Sequence, residues 1–333
     1  MFYRKTSTAA MAAVSLSILL GLWSVFNLSS CQDVERAASG RSAKDSLELQ
    51  VMSFNIRNGA ADDGENRWEN RRQMVFDVVG DNHPDVVGLQ EALRFQIDEI
   101  RKALPAYGEI GVAREDGKTK GEYCAILYRH DRFDIDESGT FWLSNTPEVP
   151  GSNHWGNACV RICTWARFIE KKSNAAFYLY NTHLDHVSQP SRENSAVLLA
   201  QRISSRKPVD PFVLTGDFNA GEDNPVIMYL KGKTALSGPA SLIPAEGRQN
   251  EGKSTNPVPM ADTFRLLHPN AKEAGTAHDF QGSRQGNKID YVLTPPQVQV
   301  LEAKILHDNA DGRYPSDHFP VTARIRLPAS SER

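Results

Sequence analysis

Short apolar segments that end in polar side chains recur along this chain. Segment 47–55 alternates apolar and polar residues and closes on an asparagine, which is typical of a half-buried strand. Segments 84–91, 175–183 and 212–219 also read as strands, and each ends in a carboxylate, a histidine or an amide. Because α/β folds build their sites where several strand ends meet, this pattern predicts that the polar residues at these strand ends lie together at one edge of the fold, which we call the polar rim.

The remaining pattern predicts a mixed arrangement of helices and strands. Helical periodicity indicates helices at about 68–80, 93–104 and 191–204. Further strands are expected at 122–129, 133–142, 160–170, 290–293, 298–305 and 321–327, with a long loop at 144–157 and a loop-rich region at 232–261. Helices separate only some of the strands, so we expect mixed sheets covered by helices.

The first 30 residues are typical of an export signal. Arg4 and Lys5 precede an uncharged, largely apolar stretch, which Leu28–Cys31 closes in the manner of a bacterial lipobox. We expect a signal peptide at 1–30, a flexible tether at 31–46, one domain at 47–328 and a tail at 329–333. The protein would then be exported to the bacterial cell envelope and held at the outer membrane or in the periplasm by lipid on Cys31. A cleaved signal and secretion, or an uncleaved anchor, are the alternatives.

Charge and cysteine content exclude few of the possible functions. The 333 residues carry a formal net charge of −3, which gives no broad footprint of nucleic-acid binding but leaves room for a local basic groove. Cys124, Cys159 and Cys163 remain beside Cys31, so one disulfide could form in an oxidising compartment. Small buried apolar side chains are the preferred interpretation, because zinc-like spacing of histidine and cysteine is missing.

Taken together, the polar strand ends have the composition of a phosphoester-hydrolysing site. Mg²⁺ prefers oxygen ligands, which are offered by Asn55, Glu91, Asp217, Asn219 and Asp317. Groups that can donate to phosphoryl oxygens or transfer protons are His183, His318 and Arg161. Glu122 and Asp290 could orient the two imidazoles. Taken singly, each residue also has a structural explanation, such as a helix cap or a turn.

Six short motifs occur in an order that resembles a known superfamily. They are Ser53–Arg57, Leu89–Glu91, Asn181–Asp185, Gly216–Asn219, Ile289–Tyr291 and Ser316–His318. In this order they resemble the endonuclease/exonuclease/phosphatase superfamily over residues 48–326. The resemblance implies a four-layer α/β sandwich, in which two packed mixed β-sheets are flanked by helices. It also implies a phosphoesterase that depends on a divalent metal, Mg²⁺ or alternatively Mn²⁺ or Ca²⁺.

The same resemblance implies a role for each motif residue. Glu91 would be the principal metal ligand, helped by Asn55, and Asp317 would contribute through water or at a second site. Asp217 would position or deprotonate the attacking water, and Asn219 would orient the water or the phosphate. The resemblance further implies that Asp290 holds His318 and that Glu122 orients His183. Arg161 would face the phosphate. Whether Asp217 or a histidine is the general base stays open.

These observations favour a hydrolase that cleaves a phosphodiester or phosphomonoester by water attack in the cell envelope. The substrate could be a nucleic acid, a small molecule or a lipid head group, and we expect a monomer. A nuclease, or an inactive binding module of the same fold, is the alternative. Trp155 in the long loop could stack on a base or sugar, or could serve as a hydrophobic plug. The sequence contains neither a Gly-x-Ser-x-Gly elbow nor a His-Glu-x-x-His helix.

Overall fold

A computed structural model of the protein describes residues 46–238 and 253–328. The predicted signal peptide, the tail and nearly all of the predicted tether lie outside these residues. Fourteen strands are found in the described ranges: β1 Leu47–Asn55, β2 Val86–Gln90, β3 Tyr107–Ile110, β4 Ile126–Arg129, β5 Phe133–Trp142, β6 Ile162–Glu170, β7 Ala176–His183, β8 Phe212–Asp217, β9 Ala235–Ser237, β10 Lys253–Thr255, β11 Ala261–Asp262, β12 Asp290–Thr294, β13 Gln299–Ile305 and β14 Val321–Leu327.

Five α-helices lie in the same ranges. They are α1 Trp68–Asn82, α2 Arg94–Ala103, α3 Gln189–Ser204, α4 Pro225–Leu230 and α5 Thr263–Leu267. None of these helices has the length and apolar character needed to cross a bilayer. A short 3-10 turn, Gly64–Asn66, precedes α1.

Two six-stranded sheets form the centre of the fold. The first has the order β13-β14-β1-β2-β4-β3 and the second the order β11-β12-β8-β7-β6-β5, while β9 and β10 form a separate pair. The β1–β2 and β7–β8 pairs are parallel, and the other pairings are antiparallel. Both sheets are therefore mixed, as the uneven spacing of predicted helices indicated.

Three apolar cores separate four layers. Alternate side chains of β1, such as Leu49 and Val51, pack between the sheets against residues such as Leu179 and Val213. The opposite side of β1 packs under α1 and α2, and the outer side of the second sheet packs under α3 and α4. The order helix, sheet, sheet, helix confirms the predicted four-layer α/β sandwich.

Short elements account for most of the differences from the sequence prediction. β3, α4 and α5, and the strands β9, β10 and β11 in the region predicted to be loop-rich, were not predicted, because segments of two to six residues are too short to establish a period. The predicted strand at 122–129 begins only at Ile126, and the long loop at 144–157 contains neither helix nor strand. Cys124 and Cys163 are buried and Cys159 is partly buried, and all three are free thiols, in line with the apolar interpretation.

Polar residues also join the two sheets at the end where the site lies. Asn181 on β7 donates through Nδ2 to the carbonyl oxygens of Leu89 and Ala125, at 2.8 and 2.9 Å. Its Oδ1 accepts from Gln90 Nε2 at 2.7 Å and from Thr215 Oγ1 at 3.1 Å. This buried amide therefore fixes the first sheet on the second.

Gly88 on β2 lies directly against this contact. A Cβ at this position would lie 2.3 Å from Thr215 Oγ1 and 2.5 Å from Asn181 Oδ1. We expect Gly88→Ala to lower the free energy of unfolding by about 2–3 kcal/mol, because the sheets would have to separate. Urea unfolding followed by tryptophan fluorescence measures this change.

Gly80 in α1 provides the matched control. A Cβ there meets Leu104 at an ordinary 3.5 Å, and alanine favours the helix. Gly80→Ala should leave stability unchanged or raise it by up to about 1 kcal/mol. If Gly88→Ala were as stable as the original protein, the close contact between the sheets would not be the constraint inferred here.

Candidate active site

The polar rim forms where the two parallel strand pairs end. Asn55 pairs with Gln90 at the end of β1 and β2, and His183 pairs with Asp217 at the end of β7 and β8. Asp290, the first residue of β12, is registered with Asp217 from the other side. Parallel pairing therefore places two predicted site residues from each sheet at one end of the sandwich, since Glu91 directly follows Gln90.

Asn55 connects the two halves of this rim. Its Nδ2 donates to Glu91 Oε1 and to Asp217 Oδ2, both at 3.0 Å. Its Oδ1 accepts from the backbone N–H of Arg57, which fixes the orientation of the amide. The atom that faces Glu91 is therefore an N–H donor, so Asn55 positions the two carboxylates in this geometry instead of offering its oxygen as the expected ligand.

Glu91 sits in an uncommon backbone conformation. It follows β2 with φ of +61°, and its Oε2 accepts from the backbone N–H of Asn58 at 3.0 Å. Left-handed backbone costs a glutamate of the order of 1 kcal/mol, so such strain is usually retained where it serves a site. The turn directs the carboxylate back to the end of β1.

Asp317 reaches the same cleft from the C-terminal segment. Ser316 Oγ donates to the backbone oxygen of Asn55 at 2.7 Å and lies 3.1 Å from Asp317 Oδ1. Arg57 Nη1 lies 3.5 Å from Asp317 Oδ2. Burial raises the pKa of Asp317, and the nearby charge of Glu91 raises it further.

Arg71 holds this side of the site together. The buried guanidinium donates to the carbonyl oxygens of Ile56, Arg57 and Pro315, at 2.7, 3.1 and 2.9 Å. It thereby joins the loop after β1 to the segment that carries Asp317. We did not predict this role, although Arg71 falls four residues before Val75, in the buried register of α1.

Asp217 and Asn219 occupy the position that the alternation predicted. β8 ends at Asp217, but Phe218 is fully buried and the backbone N–H of Asn219 donates to Asp217 Oδ1 at 2.9 Å. Asn219 has φ of +47°, which asparagine tolerates better than most residues. Burial raises the pKa of Asp217 to about 7, and the charge of Asp290 acts in the same direction.

The predicted pairing of His318 with Asp290 is present. His318 Nδ1 lies 2.9 Å from Asp290 Oδ2 and 3.9 Å from Asp217 Oδ2. Burial alone would lower the pKa of His318, but the charges of Asp290, Asp217 and Asp317 raise it well above the usual value. The surrounding carboxylates therefore favour the protonated form of His318.

His183 is in a different state. Asn219 Nδ2 donates to the Leu184 carbonyl oxygen, which can only accept, and the same Nδ2 lies 3.0 Å from His183 Nε2. Nε2 must therefore accept, so His183 is neutral with its proton on Nδ1. Burial lowers the pKa of His183 well below the usual value, and the charge of Arg161 acts in the same direction.

Glu122 does not have the expected partner. Its Oε1 accepts from Asn58 Nδ2 at 2.8 Å, and its Oε2 is paired with Arg114 Nη1. The carboxylate is committed to these two groups, and no hydrogen bond joins it to His183 in the described ranges. The predicted Glu122–His183 pair is therefore replaced by a Glu122–Arg114 ion pair.

Arg161 is buried beside His183 at 3% exposure. Its Nη2 lies 2.9 Å from His186 Nδ1, and its Nε lies 3.7 Å from Asp185 Oδ2, beyond hydrogen-bond distance. Nε and Nη1 are buried without a hydrogen-bond partner among the described residues. Arg161, His183 and Glu91 line one small cavity.

The long loop packs over the neighbouring surface. Trp155 contacts the apolar core under α3, and its Nε1 donates to Asn145 Oδ1 at 2.7 Å. The backbone N–H of Ala158 donates to Asp185 Oδ2 at 2.9 Å. These contacts agree with the interpretation of Trp155 as a plug that anchors the loop.

The site residues fit a hard divalent cation. Glu91 and Asp317 supply oxygen donors, and the mutual repulsion that raises the pKa of Asp317 is what a bound cation would relieve. Asp217, Asp290 and His318 form a further group whose ligand atoms lie within 4.8 Å of one another. In that group the imidazole already bonds Asp290, which suits proton handling better than coordination.

Comparison with known proteins assigns the fold and the motifs to one family. The Endonuclease/Exonuclease/phosphatase family profile matches residues 52–318. A solved endonuclease/exonuclease/phosphatase from Bacteroides vulgatus is 32% identical, with a TM-score of 0.72, over 84% of this chain and 99% of that one. The mannosyl-6-phosphatase of Bacteroides thetaiotaomicron is also 32% identical, with a TM-score of 0.69, over 83% and 99% of the two chains.

More distant relatives share less of their length or sequence. Nocturnin from Drosophila melanogaster is 23% identical over an alignment of 293 positions, which covers 78% of this chain but 42% of that protein. The chain therefore spans less than half of this curated relative. The human Nocturnin catalytic domain is 18% identical with a TM-score of 0.62, over 84% of this chain and 96% of that one, a likeness of fold.

Metal binding can be tested without measuring activity. If Glu91 is a principal ligand, Mg²⁺ or Mn²⁺ at ten times its Kd should raise the Tm by roughly 3–5 °C, because it binds only the folded state. In Glu91→Gln this metal-dependent rise should vanish, since the charge is gone. Differential scanning fluorimetry with a metal titration measures both.

The control is the exposed acid Glu115, whose carboxylate pairs with Lys120. Glu115→Gln should keep the full metal-dependent rise. An undiminished rise in Glu91→Gln would remove Glu91 from the metal site.

Proposed function

The chain belongs to the endonuclease/exonuclease/phosphatase family, and we propose that it is an exported, Mg²⁺-dependent hydrolase of a small phosphoester. Members of the family are hydrolases that act on phosphoesters and generally use a divalent metal ion. One observation carries the proposal: Glu91 lines the same cavity as Arg161, whose Nε and Nη1 have no hydrogen-bond partner among the described residues. Carboxylates that can hold a cation thus lie beside a guanidinium that can hold an anion, as phosphoryl transfer requires.

The proposed cation ligands are Glu91 and Asp317, with Asn55 as the group that orients Glu91. Bound Mg²⁺ would supply charge neutralisation for the phosphoryl oxygens. Arg71 and Arg57 keep Asp317 beside Glu91, so this half of the site is preorganised by hydrogen bonds to backbone carbonyls and by charge.

The three titratable groups of the other half divide the remaining roles. Asp217 is the proposed general base, because its raised pKa lies near neutral pH and two hydrogen bonds fix its carboxylate. His318, charged beside Asp290, would stabilise negative charge on the phosphoryl group. His183 is neutral, and with Asn219 it fixes the wall of the cleft.

A small phosphoester is favoured over nucleic acid as the substrate. The net charge of −3 offers no broad electrostatic attraction for a polyanion. The mannosyl-6-phosphatase relative, at 32% identity, acts on a phosphorylated sugar according to its name. We extend this substrate class, a phosphorylated sugar or similar small molecule, to the present chain.

A substrate panel tests the proposal. p-Nitrophenyl phosphate, bis-p-nitrophenyl phosphate, sugar phosphates, sphingomyelin, DNA and RNA are assayed with and without EDTA. We expect turnover of small phosphoesters that EDTA abolishes and Mg²⁺ restores. His318→Ala should lower kcat/KM at least ~10²-fold, because a charged group at the phosphoryl site is lost.

His130 provides the matched histidine control. It is exposed and contacts the backbone oxygen of Pro105, so His130→Ala should retain full activity. Absence of metal-dependent turnover across the panel would favour an inactive binding module. An unchanged rate in His318→Ala would remove that residue from the mechanism.

We propose that lipid on Cys31 tethers the domain to the envelope. The lipobox pattern of Leu28–Cys31 supports this, and Gln32 after the cysteine fits outer-membrane sorting. In a bacterial host, Cys31→Ser should move the protein from the membrane fraction to the soluble fraction and abolish labelling by a palmitate analogue. Cys159→Ser, which alters a thiol within the domain, should leave both unchanged. Membrane retention of unlabelled Cys31→Ser would instead indicate an uncleaved anchor.

A further inference from the structure

The cavity beside Glu91 bears on which phosphoester the site accepts. We propose that this cavity is a small subsite for one bare phosphoryl oxygen, which favours phosphomonoesters over phosphodiesters, with His186 as the positioning residue of Arg161. The inference rests on the proposed phosphoesterase function and adds the substrate class, the selecting walls and the role of His186.

The size of the cavity is the first observation. Its volume is about 10 Å³, close to the minimum that holds one water molecule. Val160 and Ile162 line it, as do Arg161 and His183. An oxygen atom fits such a space, but an oxygen that carries a sugar, a nucleoside or an aryl group does not.

The chemistry of the cavity is the second observation. Arg161 is 3% exposed, and its Nε and Nη1 are buried without partners among the described residues. Leaving such donors unpaired costs about 1–3 kcal/mol each, and more on a charged group. A bare phosphoryl oxygen in the cavity is an anionic acceptor that could satisfy Nη1, whereas an esterified oxygen is a weak acceptor; Nε lies on the side of Asp185.

An ion pair forms a further part of the cavity lining. Arg114 and Glu122 both line it, with side chains 15% and 14% exposed, and they bond to each other. Asn58, whose backbone holds Glu91, also donates to Glu122 Oε1 at 2.8 Å. The wall is thus tied to the proposed cation ligand and has little freedom to move aside for a larger group.

His186 determines where the free donors of Arg161 point. A guanidinium can only donate, so His186 Nδ1, 2.9 Å from Nη2, must be an acceptor. Asp185 lies 3.7 Å from Arg161 Nε and accepts instead from the backbone N–H groups of Ala158, Val187 and Ser188. His186 is therefore the hydrogen-bonding side chain that orients Arg161 in the described structure.

A phosphodiester can place fewer bare phosphoryl oxygens against the cation and the guanidinium than a phosphomonoester can. Its phosphoryl group offers only two bare oxygens, and the substituent on the second ester oxygen has to leave the cleft. A monoester dianion offers three bare oxygens and one more negative charge to the cationic groups.

Selectivity is tested with two esters that share one leaving group. The original protein should hydrolyse p-nitrophenyl phosphate with a kcat/KM at least about tenfold above that for bis-p-nitrophenyl phosphate. Widening the cavity with Val160→Ala and Ile162→Ala together should lower this ratio at least about tenfold, because the diester gains space.

Val112→Ala is the matched control for the widened variant. Val112 packs in the same apolar cluster as Val160 and Ile162 but does not line the cavity, so its ester ratio should stay unchanged. If the double variant fails to fold, as judged by urea unfolding, Val160→Ala alone takes its place. A ratio that stays constant in the folded, widened protein would overturn the steric part of the inference.

The role of His186 has a readout that does not require turnover. Isothermal titration of inorganic phosphate should give a Kd about tenfold higher in His186→Ala, because Arg161 loses the partner that orients it. His186→Asn should restore binding, since its carbonyl oxygen can accept in place of Nδ1. Equal loss in both variants would reduce His186 to a packing role and overturn its assignment.

Different results would overturn the proposed phosphoesterase function and the proposed selection of monoesters. Equal or greater efficiency on the diester, with metal dependence intact, would overturn monoester selection and leave the phosphoesterase function standing. Absence of metal-dependent turnover of either ester would overturn the proposed function. Unaltered phosphate binding in His186→Ala would then overturn the subsite as well.

Discussion

The buried amide of Asn181 is the contact on which the site depends. Each half of the site is carried by a different sheet, and stacked sheets held only by apolar side chains could slide against each other. Asn181 removes this freedom, because its three hydrogen bonds to Leu89, Gln90 and Ala125 cross from β7 to segments of the first sheet inside the sandwich. A shift of either sheet would leave these groups unpaired, at about 1–3 kcal/mol each.

The strained backbone turns at the polar rim are related to this fixed position of one sheet on the other. Arg57, Glu91 and Asn219 all follow strand ends and all have positive φ, between +47° and +61°. Such turns redirect side chains across the gap between the sheets, so that Asn55 can reach both Glu91 and Asp217. A rigid sandwich can retain this strain because its cores and inter-sheet bonds determine the backbone independently.

The features that could be predicted from the sequence are those that follow from hydrophobic periodicity and from the polar residues at strand ends. The alternation of β1 and the burial of Phe218 between Asp217 and Asn219 could be predicted because both follow from pleat geometry. The partner of Glu122 could not, because Arg114 and Asn58 approach it from separate loops. Arg71 left a signal, a cation in an apolar helix register, but three of the four carbonyl groups to which it donates belong to segments outside α1 and the turn before it.

The protonation states of the two histidines illustrate how backbone geometry sets chemistry. His183 and His318 are both buried, and desolvation alone would make both neutral. His318 differs because Asp290, at the start of β12, lies 2.9 Å from its ring. His183 instead meets the Asn219 amide, and the Leu184 carbonyl oxygen requires that amide to present its N–H groups. One carbonyl and one carboxylate thus give the two imidazoles opposite pKa shifts, and Asp217, the proposed general base, lies beside both.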